Sequence, residues 1–75
     1  MQNEIRRTDK YRIVGVNGGF EICHILTNKR GEIIEPRDED FGVWAWSAYD
    51  LEKALRIANE IETGLKPIRQ MDAQI

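Results

Sequence analysis

The side chains best suited to nucleophilic chemistry in this sequence are Cys23 and His24, which are adjacent. A thiol beside an imidazole base would suit a nucleophile that transfers acyl groups. The surrounding pattern predicts a strand, however, and neighbouring residues of a strand point to opposite faces of the sheet. We therefore predict a buried thiol, an imidazole next to Tyr11, and no catalytic residue.

Two further patterns are similar to ligand sites without matching one. The acidic residues 38–40 carry the oxygen ligands that calcium and magnesium prefer, but the alternating ligands, central glycine and distal glutamate of a calcium-binding loop are missing. Gly15, Gly18 and Gly19 lie around a turn between strands, whereas a phosphate-binding loop precedes a helix. The sequence therefore predicts no metal, no cofactor and no enzymatic activity.

Trp44 and Trp46 allow two interpretations. On an open sheet face they would stack with nucleobases, which is worth about 1–3 kcal/mol per base. In the core they would pack under the helix that follows. The core is favoured, because Ser47 as a helix N-cap would place Trp46 against Leu51 in a hydrophobic staple, and strand alternation then puts Trp44 on the same face.

One amphipathic helix is predicted over residues 48–63 with Ser47 as its N-cap. Gly64 suits the left-handed position that ends a helix, and Pro67 prevents the helix from continuing. Residues 65–75 remain open between a short second helix and a loose tail. The apolar stripe of the helix recurs at intervals of three and four residues and consists of Leu51, Ala54, Leu55, Ala58, Ile61 and Leu65.

Two strands, residues 10–16 and 19–26, flank Asn17 and Gly18, the pair most typical of a two-residue hairpin turn. This turn pairs Val16 with Gly19, and counting outward it pairs Ile13 with Ile22 and Tyr11 with His24. The face expected under the helix consists of Tyr11, Ile13, Phe20, Ile22 and Leu26.

The polar residues 1–9 are predicted to form a loose arm. After the hairpin we expect, in order, a turn at 27–31, a short strand at 32–35, an acidic loop at 37–40 and the tryptophan strand at 41–47. The result is a single α+β domain with a core over 10–64. It is a three- or four-stranded antiparallel β-meander followed by one amphipathic helix packed on one sheet face.

A chain of 75 residues forms one domain at most and has a thin stability margin. Its net charge of −2 and pI near 5.3 give no general attraction to polyanions. The single cysteine excludes an intramolecular disulfide. No secretion signal and no apolar run of about 18 residues is found, so we expect a cytoplasmic protein without membrane contact.

Both faces of the predicted sheet are apolar, and an exposed apolar patch usually marks an interface. We therefore expect an interaction module that binds a protein partner, most simply a second copy in a homodimer. The alternative is a nucleic-acid-binding domain with an exposed tryptophan. The expected interface is Val14, Val16, Cys23, Ile25, Phe41, Val43 and Ala45, and the alternative basic patch is Arg6, Arg7, Lys10 and Arg12, joined by Lys29 and Arg30.

The order of hairpin, acidic loop, Trp-x-Trp strand and helix resembles small, uncharacterised strand-rich proteins with one C-terminal helix that phages and prophages encode. The similarity covers residues 10–64 and includes the helical spacing Leu51-x-x-Ala54-Leu55-x-x-Ala58-Asn59-x-Ile61. It implies a bacterial or phage setting and an accessory, non-enzymatic role, such as modulating a host protein. It assigns no catalytic or binding residue.

Overall fold

The molecule is a four-stranded antiparallel sheet with one helix on it. The computed structural model describes residues 3–68, with the elements β1 Asn3–Arg7, β2 Tyr11–Val16, β3 Gly19–His24, β4 Ala45–Ala48 and α1 Leu51–Glu62. The strands lie side by side in chain order. Helix α1 packs against β2, β3 and β4. The predicted α+β meander with one covering helix is confirmed.

The β2–β3 hairpin has the predicted register. Asn17 and Gly18 form its turn, and Gly18 adopts the left-handed backbone conformation (φ 85°) that this turn requires. Ile13 lies opposite Ile22, and both side chains are completely buried. A slip of one residue would move both isoleucines to the other face, so the buried pair holds the register.

The core between sheet and helix contains both expected and unexpected residues. Helix α1 buries Ile57, which was not part of the predicted stripe, whereas Leu51, Leu55 and Leu65 are 43%, 41% and 76% exposed. The helix is therefore rotated from the predicted orientation toward Ile57. The buried cluster is Tyr11, Ile13, Ile22, Ala48, Ala54, Ile57, Ala58 and Ile61, with Phe20 and Trp46 packed at its margin.

The helix begins later than predicted. Ala48 is still part of β4, where it pairs with Phe20, and Asp50 rather than Ser47 is the N-cap. The Asp50 carboxylate accepts a hydrogen bond of 2.7 Å from the backbone N–H of Lys53. Because Ala48 is paired in the sheet, the helix cannot start earlier, and the staple predicted from Ser47 as N-cap is absent. Trp46 instead faces the helix-side core because it lies opposite Ile22 in β4.

The helix ends as predicted at Gly64, whose φ is 83°. The N–H of Gly64 donates to the Ile61 carbonyl (3.2 Å) and that of Leu65 to the Glu60 carbonyl (2.8 Å), the hydrogen bonds of a left-handed helix terminus. The segment 65–68 that follows is not helical. The rest of the open prediction for 65–75 lies outside the described residues.

Residues 3–7, predicted to be part of a loose arm, form strand β1. Asn3 pairs with Gly15 and Arg7 with Arg12, and the register shifts by one residue around Ile5. All five side chains of β1 are exposed. The strand therefore lacks the alternation of apolar and polar residues that identifies a half-buried strand in a sequence.

The sheet face opposite the helix is covered by residues 25–44, which we call the covering loop. Its Trp44 is buried on this face, although strand alternation predicts it beside Trp46 on the other. The reason is that the N–H groups of Val43 and Trp44 both donate to the Asp40 carbonyl (3.0 and 3.1 Å) in a turn, and the strand begins only at Ala45. The cluster comprises Cys23, Trp44 and Ala45, with Leu26, Phe41 and Val43 packed against it.

The first half of the covering loop contains the predicted turn but no strand. The Asn28 side-chain oxygen accepts hydrogen bonds from the backbone N–H groups of Arg30 (2.8 Å) and Glu32 (3.0 Å). Residues 32–35 do not form the predicted strand. Their one sheet-like contact is an isolated bridge from Ile33 back to Thr27. Leu26, expected under the helix, instead packs against the Trp44 cluster, because β3 ends at His24.

We predict that Gly19→Ala destabilises the protein, whereas Gly15→Ala has little effect. A Cβ on Gly19 would lie 2.6 Å from the Ala48 carbonyl oxygen, which is backbone and moves only if β4 moves. A Cβ on Gly15 would meet the Ile5 side chain at an ordinary 3.5 Å. We expect Gly19→Ala to lower the free energy of unfolding by about 1–3 kcal/mol, measured by urea denaturation. Equal losses in the two variants would show that β4 does not approach Gly19 this closely.

Candidate interaction surfaces

The predicted sheet-face interface is largely covered by the chain itself. Val14 and Cys23 are only 4% and 3% exposed. Val16, Ile25, Phe41 and Val43 are half-buried, and Phe41 and Val43 belong to the covering loop. Ala45 is completely buried in the cluster around Trp44. The apolar residues of this face are thus satisfied within one chain, and they do not form an open patch.

The Arg12 guanidinium joins β1, β2 and the covering loop. Its Nε donates to Glu4 (2.8 Å) and its Nη1 to Glu35 (3.0 Å), while only 14% of the side chain is exposed. Burial alone would lower the pKa of Arg12, but the two carboxylates outweigh burial and raise it. Arg12 therefore fastens the loop to the sheet and is occupied by carboxylates.

The predicted basic patch is charge-compensated in part. Arg6 lies over the Tyr11 ring, with 6.0 Å between its guanidinium carbon and the ring centre. Lys29 and Arg30 lie in the exposed turn of the covering loop. The remaining three cations form ion pairs, which are Arg7 with Glu4, Lys10 with Glu62, and Arg12 with Glu4 and Glu35. Three of the six cations are thus paired with carboxylates, which reduces the positive charge available to a phosphate backbone.

Both edges of the sheet are protected. At β1, charged residues and the shifted register around Ile5 disturb the regular row of hydrogen-bonding groups that another strand would need. At β4, the covering loop folds back along the edge, since Phe41 bridges to Ala45 and the Gly42 N–H donates to the Ala45 carbonyl (2.8 Å). The sheet therefore offers no long free edge.

One groove lies between α1 and the β1 side of the sheet, and we call it the β1 groove. It encloses about 410 Å³ and is lined by Arg6, Thr8, Tyr11, Leu55, Asn59 and Glu62. Leu51 lies one turn before Leu55 on the same flank of the helix. Ile5 lies beside Gly15 on the helix side of the sheet and is 44% exposed. Leu55 thus lines the groove, while Leu51 and Ile5 are exposed aliphatic side chains on the same side of the molecule.

A second concavity lies on the other side of α1, next to β4, and we call it the β4 cleft. It encloses about 430 Å³, and its lining includes Phe41, Trp46, Ser47, Lys53, Arg56 and Lys66. Residue types and spacing in the sequence do not single out Lys53, Arg56 or Lys66 as site residues. The signal that would have found Lys53 and Arg56 is their position on the flank of α1 that faces the tryptophan strand, which becomes visible only once the rotation of the helix is known. Lys66 lies beyond the helix and reaches the cleft through its contacts with Glu60 and His24.

Cys23 and His24 lie on opposite sides of the sheet, as predicted. Burial raises the pKa of the Cys23 thiol to about 11, with Arg12 opposing this shift and Glu35 and Glu21 adding to it. The His24 Nε2 is 2.7 Å from the Lys66 carbonyl oxygen, and its ring is 5.8 Å from Trp46. The thiol and the imidazole thus have different surroundings on the two faces of the sheet.

We predict that native Cys23 is unreactive toward the thiol reagent DTNB at pH 8. The reactive species is the thiolate, and a pKa of about 11 leaves very little of it. Unfolding in urea should restore the reactivity of an ordinary thiol. Rapid labelling of the folded protein would show that the covering loop does not seal this face.

Glu21 faces the covering loop in an acidic environment. Burial, followed by the charges of Glu35 and Asp38, raises its pKa above the ordinary value for a glutamate. The folded state therefore binds a proton at Glu21 more tightly than the unfolded state does. This contribution to stability is complete at acid pH and is lost as the pH rises through the raised pKa.

Glu21→Gln should accordingly stabilise the protein at pH 7, by a few tenths of a kcal/mol because Glu21 is partly exposed. The gain should disappear at acid pH, where Glu21 is protonated in both states. Urea denaturation of the two proteins between about pH 3 and pH 7 measures the difference. Glu39→Gln, at an exposed position, is the matched control, and a similar gain there would refute the explanation.

The acidic residues 38–40 form a single turn of 3₁₀ helix. The Asp40 carboxylate accepts a hydrogen bond of 2.8 Å from the backbone N–H of Arg37 and so stabilises that turn. Within residues 3–68, no group of three or more histidine, cysteine or acidic side chains is arranged to hold a metal ion. In the same part of the chain, no helix has the length and apolar character needed to cross a membrane.

Comparison of the chain with protein-family models, with curated proteins and with solved structures gave no match.

Proposed function

We propose that this protein is a small, non-enzymatic interaction module that binds a protein partner through the β1 groove, with a second copy of the chain as the simplest partner. The observation that supports the proposal is the exposure of three aliphatic side chains on this side of the molecule, one of which, Leu55, lines the groove. Ile5, Leu51 and Leu55 are 44%, 43% and 41% exposed. The site thus combines one flank of α1 with the part of the helix-side sheet face that α1 leaves accessible.

Burial of these side chains would supply a useful part of a binding free energy. Removing the exposed part of each aliphatic side chain from water is worth on the order of 1–2 kcal/mol. Three such side chains suit a weak or moderate interface once the cost of association is subtracted. Preorganisation helps, because all three belong to regular secondary structure.

The rim of the β1 groove favours a protein surface over a polyanion. It carries Arg6 and Glu62, which have opposite charges, together with the polar side chains of Thr8 and Asn59. A surface with aliphatic side chains and both signs of charge is complementary to another copy of itself, and a two-fold dimer brings identical surfaces together. The ion pairs of Arg7, Lys10 and Arg12 further weaken the nucleic-acid alternative.

The proposed setting is that of an accessory protein of a phage or bacterium acting in the cytoplasm, for example on a host protein. Its support is the sequence resemblance over residues 10–64.

The test compares the wild type with the double variant Leu51→Gln, Leu55→Gln. Glutamine preserves helix propensity while removing the apolar contact. We expect sedimentation equilibrium to show a reversible dimer for the wild type between about 1 μM and 1 mM, and a dissociation constant raised at least about tenfold in the variant.

The matched control is Ile34→Gln, Leu65→Gln, which removes two exposed aliphatic side chains outside the groove. This control should dimerise like the wild type, and thermal unfolding should verify that both variants remain folded. A wild type that is monomeric up to about 1 mM, or equal weakening in both double variants, would contradict self-association through the β1 groove.

A further inference from the structure

The β4 cleft has an aromatic floor beside a cationic rim. Trp46 is half-buried between the helix-side core and the cleft, and Phe41 lines the cleft from the covering loop. Lys53 and Arg56 approach from the flank of α1. An aromatic surface next to positive charge suits a ligand that combines an apolar group with an anion.

The end of the cleft at Lys66 is held in place by several contacts. The Lys66 N–H donates to the Glu60 carbonyl (3.0 Å), and its carbonyl oxygen is 2.7 Å from the His24 Nε2. Its ammonium lies 3.4 Å from the Glu60 carboxylate and 5.2 Å from the centre of the Trp46 ring. This end of the cleft is therefore preorganised, and Glu60 already compensates the charge of Lys66.

The other two cations are available to a ligand. Among the ion pairs formed within residues 3–68, none includes Lys53 or Arg56. Both line the cleft together with the hydroxyl-bearing Ser47. Among the described residues, the cleft is lined by three cations and by the carboxylate of Glu60, an excess of two positive charges on a molecule whose net charge is −2. This local excess favours an anionic ligand at this position.

The surroundings of the cleft restrict how long that anion can be. The acidic turn 38–40 directly precedes Phe41 in the chain. On the opposite sheet face, burial, followed by the charges of Glu35 and Asp38, raises the pKa of Glu21, so negative charge is concentrated there as well. A nucleic acid that continued beyond the cleft would meet this negative potential, whereas a short anionic segment would not.

We propose that the β4 cleft binds a short acidic segment of a partner protein. Two carboxylates of the segment pair with Lys53 and Arg56, and an aromatic or aliphatic side chain between them packs on Trp46 and Phe41. This site is separate from the β1 groove, because α1 lies between the two, and it does not require the chain to dimerise.

The experiment is a tryptophan-fluorescence titration with a blocked peptide Asp-Glu-Phe-Asp-Glu. Trp44 is 6% exposed, so a change in the fluorescence of the native protein reports mainly on Trp46. We expect a saturable change with the acidic peptide and at least about tenfold weaker binding of the neutral analogue Asn-Gln-Phe-Asn-Gln. Oligothymidylate, titrated in the same way, should bind more weakly than the acidic peptide.

The variants separate the cleft from general electrostatic attraction. Lys53→Gln, Arg56→Gln should weaken peptide binding by about five- to thirty-fold. The control Lys29→Gln, Arg30→Gln makes the same change in net charge in the turn of the covering loop, and it should alter binding by no more than about twofold. Near-ultraviolet circular dichroism verifies that both variants keep the native fold.

Three results would overturn the proposal. The first is the absence of a saturable fluorescence change up to about 1 mM peptide. The second is an equal loss of affinity in the two double variants, which would mean that only net charge matters. The third is tighter binding of oligothymidylate than of the acidic peptide, which would identify the cleft as a nucleic-acid site.

Discussion

The structure depends on one constraint, which is that a sheet with two apolar faces must be covered by a chain that contains only one helix in its described part. Helix α1 covers the first face. The second is covered by the covering loop, whose Trp44 packs with Cys23 and Ala45. Arg12 connects that loop to the sheet through Glu35. Because the apolar area is satisfied within the chain, the two surfaces proposed for interactions lie on the flanks of α1 rather than on an open sheet.

These two flanks have different chemistry because of how the helix is rotated. Burial of Ile57 directs Leu51 and Leu55 toward β1 and leaves Lys53 and Arg56 beside β4. An aliphatic flank and a cationic flank on one short helix allow two kinds of contact without interfering with each other. A chain this small has a thin stability margin, but these flank side chains are exposed and contribute little to the core, so the arrangement costs little stability.

The hairpin register was predictable because Asn17 and Gly18 fix it locally. The position of Trp44 was not, since the hydrogen bonds to the Asp40 carbonyl interrupt the strand pattern at a place that no residue type marks. All five side chains of strand β1 are exposed, so its sequence has no alternation of buried and exposed residues to detect. The extent of β4 depends on pairing between Ala48 and the distant Phe20. Both candidate surfaces depend on such long-range contacts, and the sequence therefore indicated neither of them.

The position of the covering loop in the chain has a consequence for folding. Strands β1, β2 and β3 are joined by short turns, whereas β4 joins the sheet only after the segment between His24 and Ala45 has closed. Because local contacts tend to form before long closures, we expect the three-stranded meander to form first and β4 to join it later together with the helix. The closure entropy grows only slowly with length, by roughly 0.6 kcal/mol for each doubling. The tip around Asn28 is therefore the place where this fold can accept additional residues.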